Sequence, residues 1–327
     1  MQRRALLKLM GLATTAGVLT SRERDDARSA KVTPDDVRDL DRLADRYQAL
    51  YQSTAPAVLM TLVVAHLETL RDFVRRGAPV ALRKQLFANR ARVATLAGRL
   101  AFFDLKDSLA ARGYYNLALE SAREAGDHLQ GAAALGHVAF IPANALCYSA
   151  ALDYLGAAAN QVGKHPDGRV ASWLSAVESE LRANAGMHAG SLAAIDQARE
   201  SLASPGVIAD LPWFDYYDST RLSGFAGYAL LRDGQFDASK ASLTDAAGKL
   251  PRAAVKQRAV FLADIATAEL AGGDLDQACA CAGEAADSLR RAGYAMGLGR
   301  LRDFRRSVDR WADSTPVRAL DEQLAVL

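Results

Sequence analysis

From Thr33 onward the hydrophobic positions of the chain recur at intervals of three and four. Thr33-Pro34-Asp35 supplies a helix cap, a proline for the first turn and an acidic residue beside it. Val37, Leu40, Leu43, Ala44, Tyr47, Leu50 and Tyr51 then fall on one helical face. A second helix starts at Pro56, carries Leu59, Leu62, Val63, His66, Leu67, Leu70, Phe73 and Val74 on its stripe, and closes at Gly77-Ala78-Pro79. No stretch alternates at period two, so essentially no strand is expected. The most apolar run, Val58 to Leu70, is interrupted by Thr61, His66, Glu68 and Thr69, and no segment reaches the roughly 18 to 20 apolar residues of a membrane span.

Further along, the pattern divides into helix pairs punctuated by Gly, Asp or Pro. The clearest are Leu230 to Ser239 and Leu270 to Ala278, each a helix end, a Gly-containing turn and an alanine-rich second helix. This is the inner half of a tetratricopeptide unit, with small residues where its two helices touch. Placing Gly227 at the small position of the first helix brings Phe236 to the turn, Leu243 and Ala246 to the second helix and Pro251 to the closing proline. Equivalent small positions are Gly98, Gly136, Ser179 and Ala266. In chain order the five lie 38, 43, 48 and 39 residues apart, which marks degenerate repeats with longer helices or loops. The expected fold is therefore all-α: a right-handed solenoid of tetratricopeptide-like helix pairs over residues 33–327. Leu298, Leu301, Phe304, Val308 and Trp311 alternate with Arg300, Arg302, Arg305, Arg306 and Arg310, which predicts a C-terminal capping helix with its arginines in solvent.

Composition agrees. Of 327 residues 66 are alanine, half are hydrophobic and only 7% are aromatic, a balance that favours helix over strand. Alanine and glycine at contact positions also let helices approach closely. Lysine plus arginine number 40 against 38 aspartate plus glutamate, a formal charge of +2, so the overall field of a dedicated nucleic-acid binder is missing and no direct nucleic-acid contact is expected. Cys147, Cys279 and Cys281 form no disulfide framework and read as reduced core thiols of a cytoplasmic protein. Residues 1–32 form a basic segment and linker. Arg3-Arg4 followed by Leu6 to Leu19 has the shape of a twin-arginine export signal, the alternative to a cytoplasmic location, but Ser21 to Asp26 follows without a small-x-small cleavage site.

The chemistry of the familiar enzymes is not written in this chain. Phosphate-loop, nucleophile-elbow, zinc-protease and dinucleotide motifs are missing, and His66, His128, His137, His165 and His188 have no metal-ligand spacing. Neither enzymatic activity nor a cofactor or metal is expected. The unusual stretch is Leu211 to Phe225, with five aromatics, two aspartates and an arginine. Tyr217, Asp218 and Arg221 there read as a ligand-facing wall, with Arg221 as a fork for a carboxylate. The competing interpretation is a loop pinned to the core by Trp213 and Phe214, with Asp218 paired to Arg221 one turn on. In a tetratricopeptide array the first helix of each pair lines the concave face. Counting from the small anchors puts Arg92, Arg99, Phe102, His137, Phe140, Trp173, Glu180, Asn184, Arg221 and Tyr228 there, a groove for a peptide or compact acidic ligand. Alternatively Phe102, Phe140 and Trp173 are core and Glu180 pairs with an arginine of an adjacent repeat.

Leu96 to Leu105, Ala111 to Asp127, Trp213 to Phe225 and Trp311 to Glu322 together resemble the tetratricopeptide portion of actinobacterial helix-turn-helix transcriptional regulators, over about Asp36 to Leu324. In that family a DNA-binding domain and an RR-x-(F/L)-L segment precede the array, and Arg3-Arg4-Ala5-Leu6-Leu7 matches that junction. The DNA-binding domain itself has no counterpart here. The resemblance implies a regulatory sensor or adaptor that binds a peptide, small effector or protein partner, with homodimerisation as a further role. The alternative is a structural interaction scaffold without effector.

Overall fold

A computed structural model describes residues 31–204, 211–214 and 216–327. The basic segment up to residue 30, with both the export-signal and the family-junction expectations placed on it, lies outside the described residues. So do 205–210, and 215 within the aromatic-rich stretch. Every regular element among the described residues is helical.

Helices α1 (Pro34–Leu50) and α2 (Pro56–Arg75) begin where the sequence places them. Thr33 and Asp36 exchange side-chain and backbone hydrogen bonds in a capping box. Gly77, at φ +73°, ends α2. Val32, from the linker side of the expected boundary, packs with Phe73 and Leu82, so the core begins one residue earlier. The next helices are α3 (Val80–Arg99), α4 (Ser108–Ala125), α5 (His128–Val138), α6 (Phe140–Asn144), α7 (Tyr148–Val162), α8 (Gly168–Asn184) and α9 (His188–Ala203). Then come α10 (Ser219–Arg232), α11 (Phe236–Lys249), α12 (Val255–Ala271), α13 (Leu275–Ala292), α14 (Ala295–Ser307) and α15 (Thr315–Leu324). Contacts are heaviest within the successive pairs α3/α4, α5/α7, α8/α9, α10/α11 and α12/α13, and each second helix also touches the first helix of the following pair. The break between α5 and α6 falls at Ala139, three residues before Pro142, whose missing N–H cannot bond back to Val138.

The five pairs share one turn. A left-handed residue stands at Lys106, Leu146, Gly186, Gly234 and Gly273. In the last four, the next N–H donates to the carbonyl five residues back: Cys147 to Pro142, Met187 to Arg182, Gln235 to Leu230 and Asp274 to Glu269, at 2.9 to 3.1 Å. In the first, Asp107 reaches six back, to Ala101. The extra residue belongs to a π-helical turn, Leu100–Asp104, at the end of α3. Counting from each left-handed residue, the second helix repeats a small residue, Ala or Ser, at the fifth position and alanine at the twelfth. These are Ala111/Ala118, Ala151/Ala158, Ser191/Ala198, Ser239/Ala246 and Ala278/Ala285, all fully buried.

The expected anchors sit at helix contacts. A Cβ on Gly227 would stand 2.5 Å from Leu243 Cγ and one on Gly98 would strike the Tyr115 ring. Ser179 and Ser191 share a hydrogen bond of 3.0 Å across their pair, and Ala266 is fully buried. The C-terminus differs from expectation. Two helices, not one, close it: α14 follows α13, and α15 packs Val317 and Leu320 into the core of α12 and α13. Arg300 does not face solvent but turns inward to Asp264 and Glu180. Of the cysteines, Cys279 and Cys281 are buried, whereas Cys147 is exposed at a turn. No helix among the described residues is long and apolar enough to cross a membrane.

Candidate functional site

The first helices of the pairs, together with the Tyr216-Tyr217 segment and α14, border one cavity of about 160 Å³. Seven of the residues expected on a concave face lie on it, Arg99, His137, Phe140, Trp173, Glu180, Arg221 and Tyr228, together with Tyr217 of the expected ligand-facing wall. Their common spacing explains this. Positions six before and one after the anchor both project inward about Ser179 (Trp173 and Glu180) and Gly227 (Arg221 and Tyr228); about Gly98 and Gly136 only the position after does, as Arg99 and His137.

Four expected residues lie elsewhere. Arg92 pairs with Asp45 of α1 and borders a second, small recess with Gln48, Trp213 and Gln130, its equivalent in the second pair. Asn184 stands behind the wall and accepts a hydrogen bond from the Tyr228 hydroxyl. Asp218 is the N-cap of α10: its Oδ1 accepts from the Arg221 backbone N–H at 2.8 Å, so the expected side-chain pair between them is replaced by a cap. The Arg221 guanidinium instead donates to Gln257 Oε1 at 2.5 Å. Phe102 turns into a small core with Val138 and Ile141, and its neighbour Phe103 takes the cavity position. The π turn inserts one residue after Gly98, which shifts the inward register by one.

Two ion-pair centres brace the wall. At the first, Asp104 accepts from the Tyr51 hydroxyl at 2.9 Å and from Lys256 Nζ at 2.5 Å, while Lys256 sits 3.9 Å from the centre of the Tyr51 ring. Burial pushes the Asp104 carboxyl up from its ordinary range, and the Lys256 charge opposes that push. At the second, Arg300 donates to Asp264 and, at 2.9 Å, to Glu180 Oε1, with its guanidinium 4.4 Å from the Tyr228 ring. Glu180 thus pairs with an arginine of α14, not with one of an adjacent pair. Burial raises the Glu180 and Asp264 carboxyls and Arg300 counters it.

Arg99 is arranged differently. It is 7% exposed, with the rings of Tyr51 and Tyr216 centred 4.4 and 4.3 Å from its guanidinium carbon. Among the described residues no carboxylate comes within ion-pairing distance of it. His137 packs against Trp173 and Tyr115 and shares a hydrogen bond with the Ala133 carbonyl; burial lowers its pKa to about 3. The imidazole is therefore neutral near pH 7, with Nδ1–H as donor. The wall offers cations, the Glu180 and Asp264 carboxylates paired with Arg300, neutral hydrogen-bonding groups and aromatic surface, a set suited to holding a ligand.

Lys256, Gln257, Val260 and Asp264 were not among the residues expected from sequence, although the same count carried to Ala266 reaches two of them, Lys256 and Val260. Lys256 stands ten before its anchor, as Tyr217 does before Gly227, and Val260 stands six before, as Arg221 does. Tyr51, Tyr294, Met296 and Arg300 come from helices flanking the anchored pairs, where no repeat register exists to point to them. No protein-family model matches the chain, and no curated protein matches it.

Proposed function

We propose that residues 33–327 form a right-handed solenoid of tetratricopeptide-like pairs that acts as a regulatory sensor, taking a small effector in the central cavity and passing the change in helix packing to a partner. The shared left-handed turn and the recurring buried Ala or Ser of the second helices support the tetratricopeptide assignment. The observation that carries the sensor role is convergence: first helices from all five pairs place cations and aromatics on one cavity rather than along an open groove. A site of this size suits a compact molecule better than an extended peptide. By the resemblance noted above, the partner belongs to transcriptional control.

The test is thermal unfolding in the presence of the low-molecular-mass fraction of a culture extract. A ligand that binds only the folded state raises Tm by mass action. Val260→Phe, which fills the cavity from α12, is expected to abolish the rise while keeping the fold. An equal rise in wild type and variant, or none in either, would sink the sensor role. The scaffold alternative draws on a separate observation. Leu105, Leu109, Leu146 and Met187 are exposed at three consecutive pair turns, along one edge of the array, as a protein-docking edge would require.

A further inference from the structure

We infer that the effector of the cavity is a compact oxyanion, a carboxylate or phosphate carried on a single ring, seated edge-on against Arg99. This rests on the sensor role proposed above.

The argument starts from what a guanidinium needs. Arginine stays protonated in a protein, and its five N–H donors lie in the plane of the group. The Tyr51 and Tyr216 rings stand 4.4 and 4.3 Å from the Arg99 guanidinium carbon; ring surface stabilises the charge but offers no oxygen to the donor edge of the group. Among the described residues no oxygen accepts from that edge. The acceptor nearest in role, Asp104, is committed to Tyr51 and Lys256. The other inward cations differ: Lys256 has Asp104, Arg300 has Asp264 and Glu180, and Arg221 has Gln257. Arg99 alone combines burial, a cavity position and an open donor edge among the described residues.

An oxyanion answers all three, since a carboxylate or phosphate presents two oxygens at the spacing of the guanidinium fork. The rest of the ligand is set by size and surface. Phe103, Phe140 and Met296 supply apolar wall, and the volume is about 160 Å³. A cavity of about 150 Å³ is known to take one benzene ring.

Calorimetric titration at fixed pH and ionic strength, with benzoate, phenyl phosphate, benzamide and inorganic phosphate as probes, tests this. The charged ring compounds are expected to bind wild type about tenfold or more tightly than benzamide, the factor set by one charge-assisted hydrogen-bonded pair. Whichever of benzoate and phenyl phosphate binds more tightly identifies the anionic group. Arg99→Gln should reduce the affinity to that of benzamide, and Arg99→Lys, which keeps the charge but not the fork, should fall between. Equal binding of benzoate and benzamide to wild type overturns the inference without any variant and leaves the sensor role standing. Inorganic phosphate binding as tightly as phenyl phosphate overturns the single-ring body. No saturable binding by any probe overturns the whole inference, while the extract experiment with Val260→Phe judges the sensor role separately.

Discussion

Leu146 and Lys106 hold the left-handed backbone that glycine holds at the three later turns, with φ of 60° and 57°. A residue with a Cβ pays about 1–2 kcal/mol for that conformation, less the roughly 0.5–1 kcal/mol that glycine loses in chain entropy. Leu146 is 75% exposed and contributes little packing. Leu146→Gly is therefore expected to raise the urea midpoint, by about 0.5–1 kcal/mol of stability, and Gly234→Ala to lower it by about as much. These turns were only partly legible, because three of them carry glycine and two carry no local signature. His66 presents a second case. It is fully buried against Tyr47, and burial lowers its pKa to about 3. Between about pH 6.5 and 3 the unfolded chain binds this proton and the native state does not, so stability is lost as pH falls through that window, by about 1.4 kcal/mol per unit. The raised carboxyls Asp104, Glu180 and Asp264 slope the opposite way, but they are common to wild type and His66→Leu. Urea unfolding at several pH values should show the wild-type curve steeper by one proton; parallel curves would mean that His66 is not held neutral.

At the scale of elements, pairs were legible because helix contacts demand small residues, and small residues leave a mark in sequence. Gly98, Ser179, Gly227 and Ala266 all fall where helices touch or pack fully buried. The π turn at Leu100–Asp104 left no mark, since its residues, Leu-Ala-Phe-Phe-Asp, suit an α-helix equally well. Its effect is nevertheless concrete: it exchanges Phe102 for Phe103 on the cavity and puts Asp104 where Lys256 can reach it. Close packing in the fourth pair gives a direct test. In Gly227→Ala the new Cβ would meet Leu243, and Ser239, which donates to the Gly227 carbonyl at 2.8 Å, holds the same contact. Overpacking of this kind costs about 1–3 kcal/mol, against a helix-propensity gain of about 1 kcal/mol. Gly248, also helical in α11, has nothing within 4 Å of a built Cβ. Gly248→Ala should accordingly stabilise while Gly227→Ala destabilises, and denaturant midpoints that move the same way in both would show that the fourth pair is not closely packed at its anchor.

Over the whole molecule, the ion pairs join parts of the chain that local sequence cannot connect. Lys256 and Asp104 are 152 residues apart, and Arg300 and Glu180 are 120 apart. Each side chain is ordinary in its own element, and only the approach of α12 to the first pair and of α14 to the third makes it a partner, so no reading of motifs could assign the bond. The consequence for stability is asymmetric. Replacing a buried pair by apolar residues of similar volume is often neutral, whereas removing one member strands the other and costs about 3–5 kcal/mol. Lys256→Met should therefore destabilise by that order, leaving Asp104 with only the Tyr51 hydroxyl, while Asp104→Leu combined with Lys256→Met should recover most of the loss. Acid gives an independent check. Lys256 opposes the rise that burial imposes on the Asp104 carboxyl, so its removal lifts that pKa further above the unfolded value. A group raised in the folded state stabilises once protonated and loses that contribution as pH rises through its folded pKa. The deficit of Lys256→Met should then shrink as pH is lowered toward about 4. A deficit independent of pH, together with additive losses in the double variant, would mean that Lys256 acts through packing of its stem and not as the counter-charge that fixes the last pair to the first.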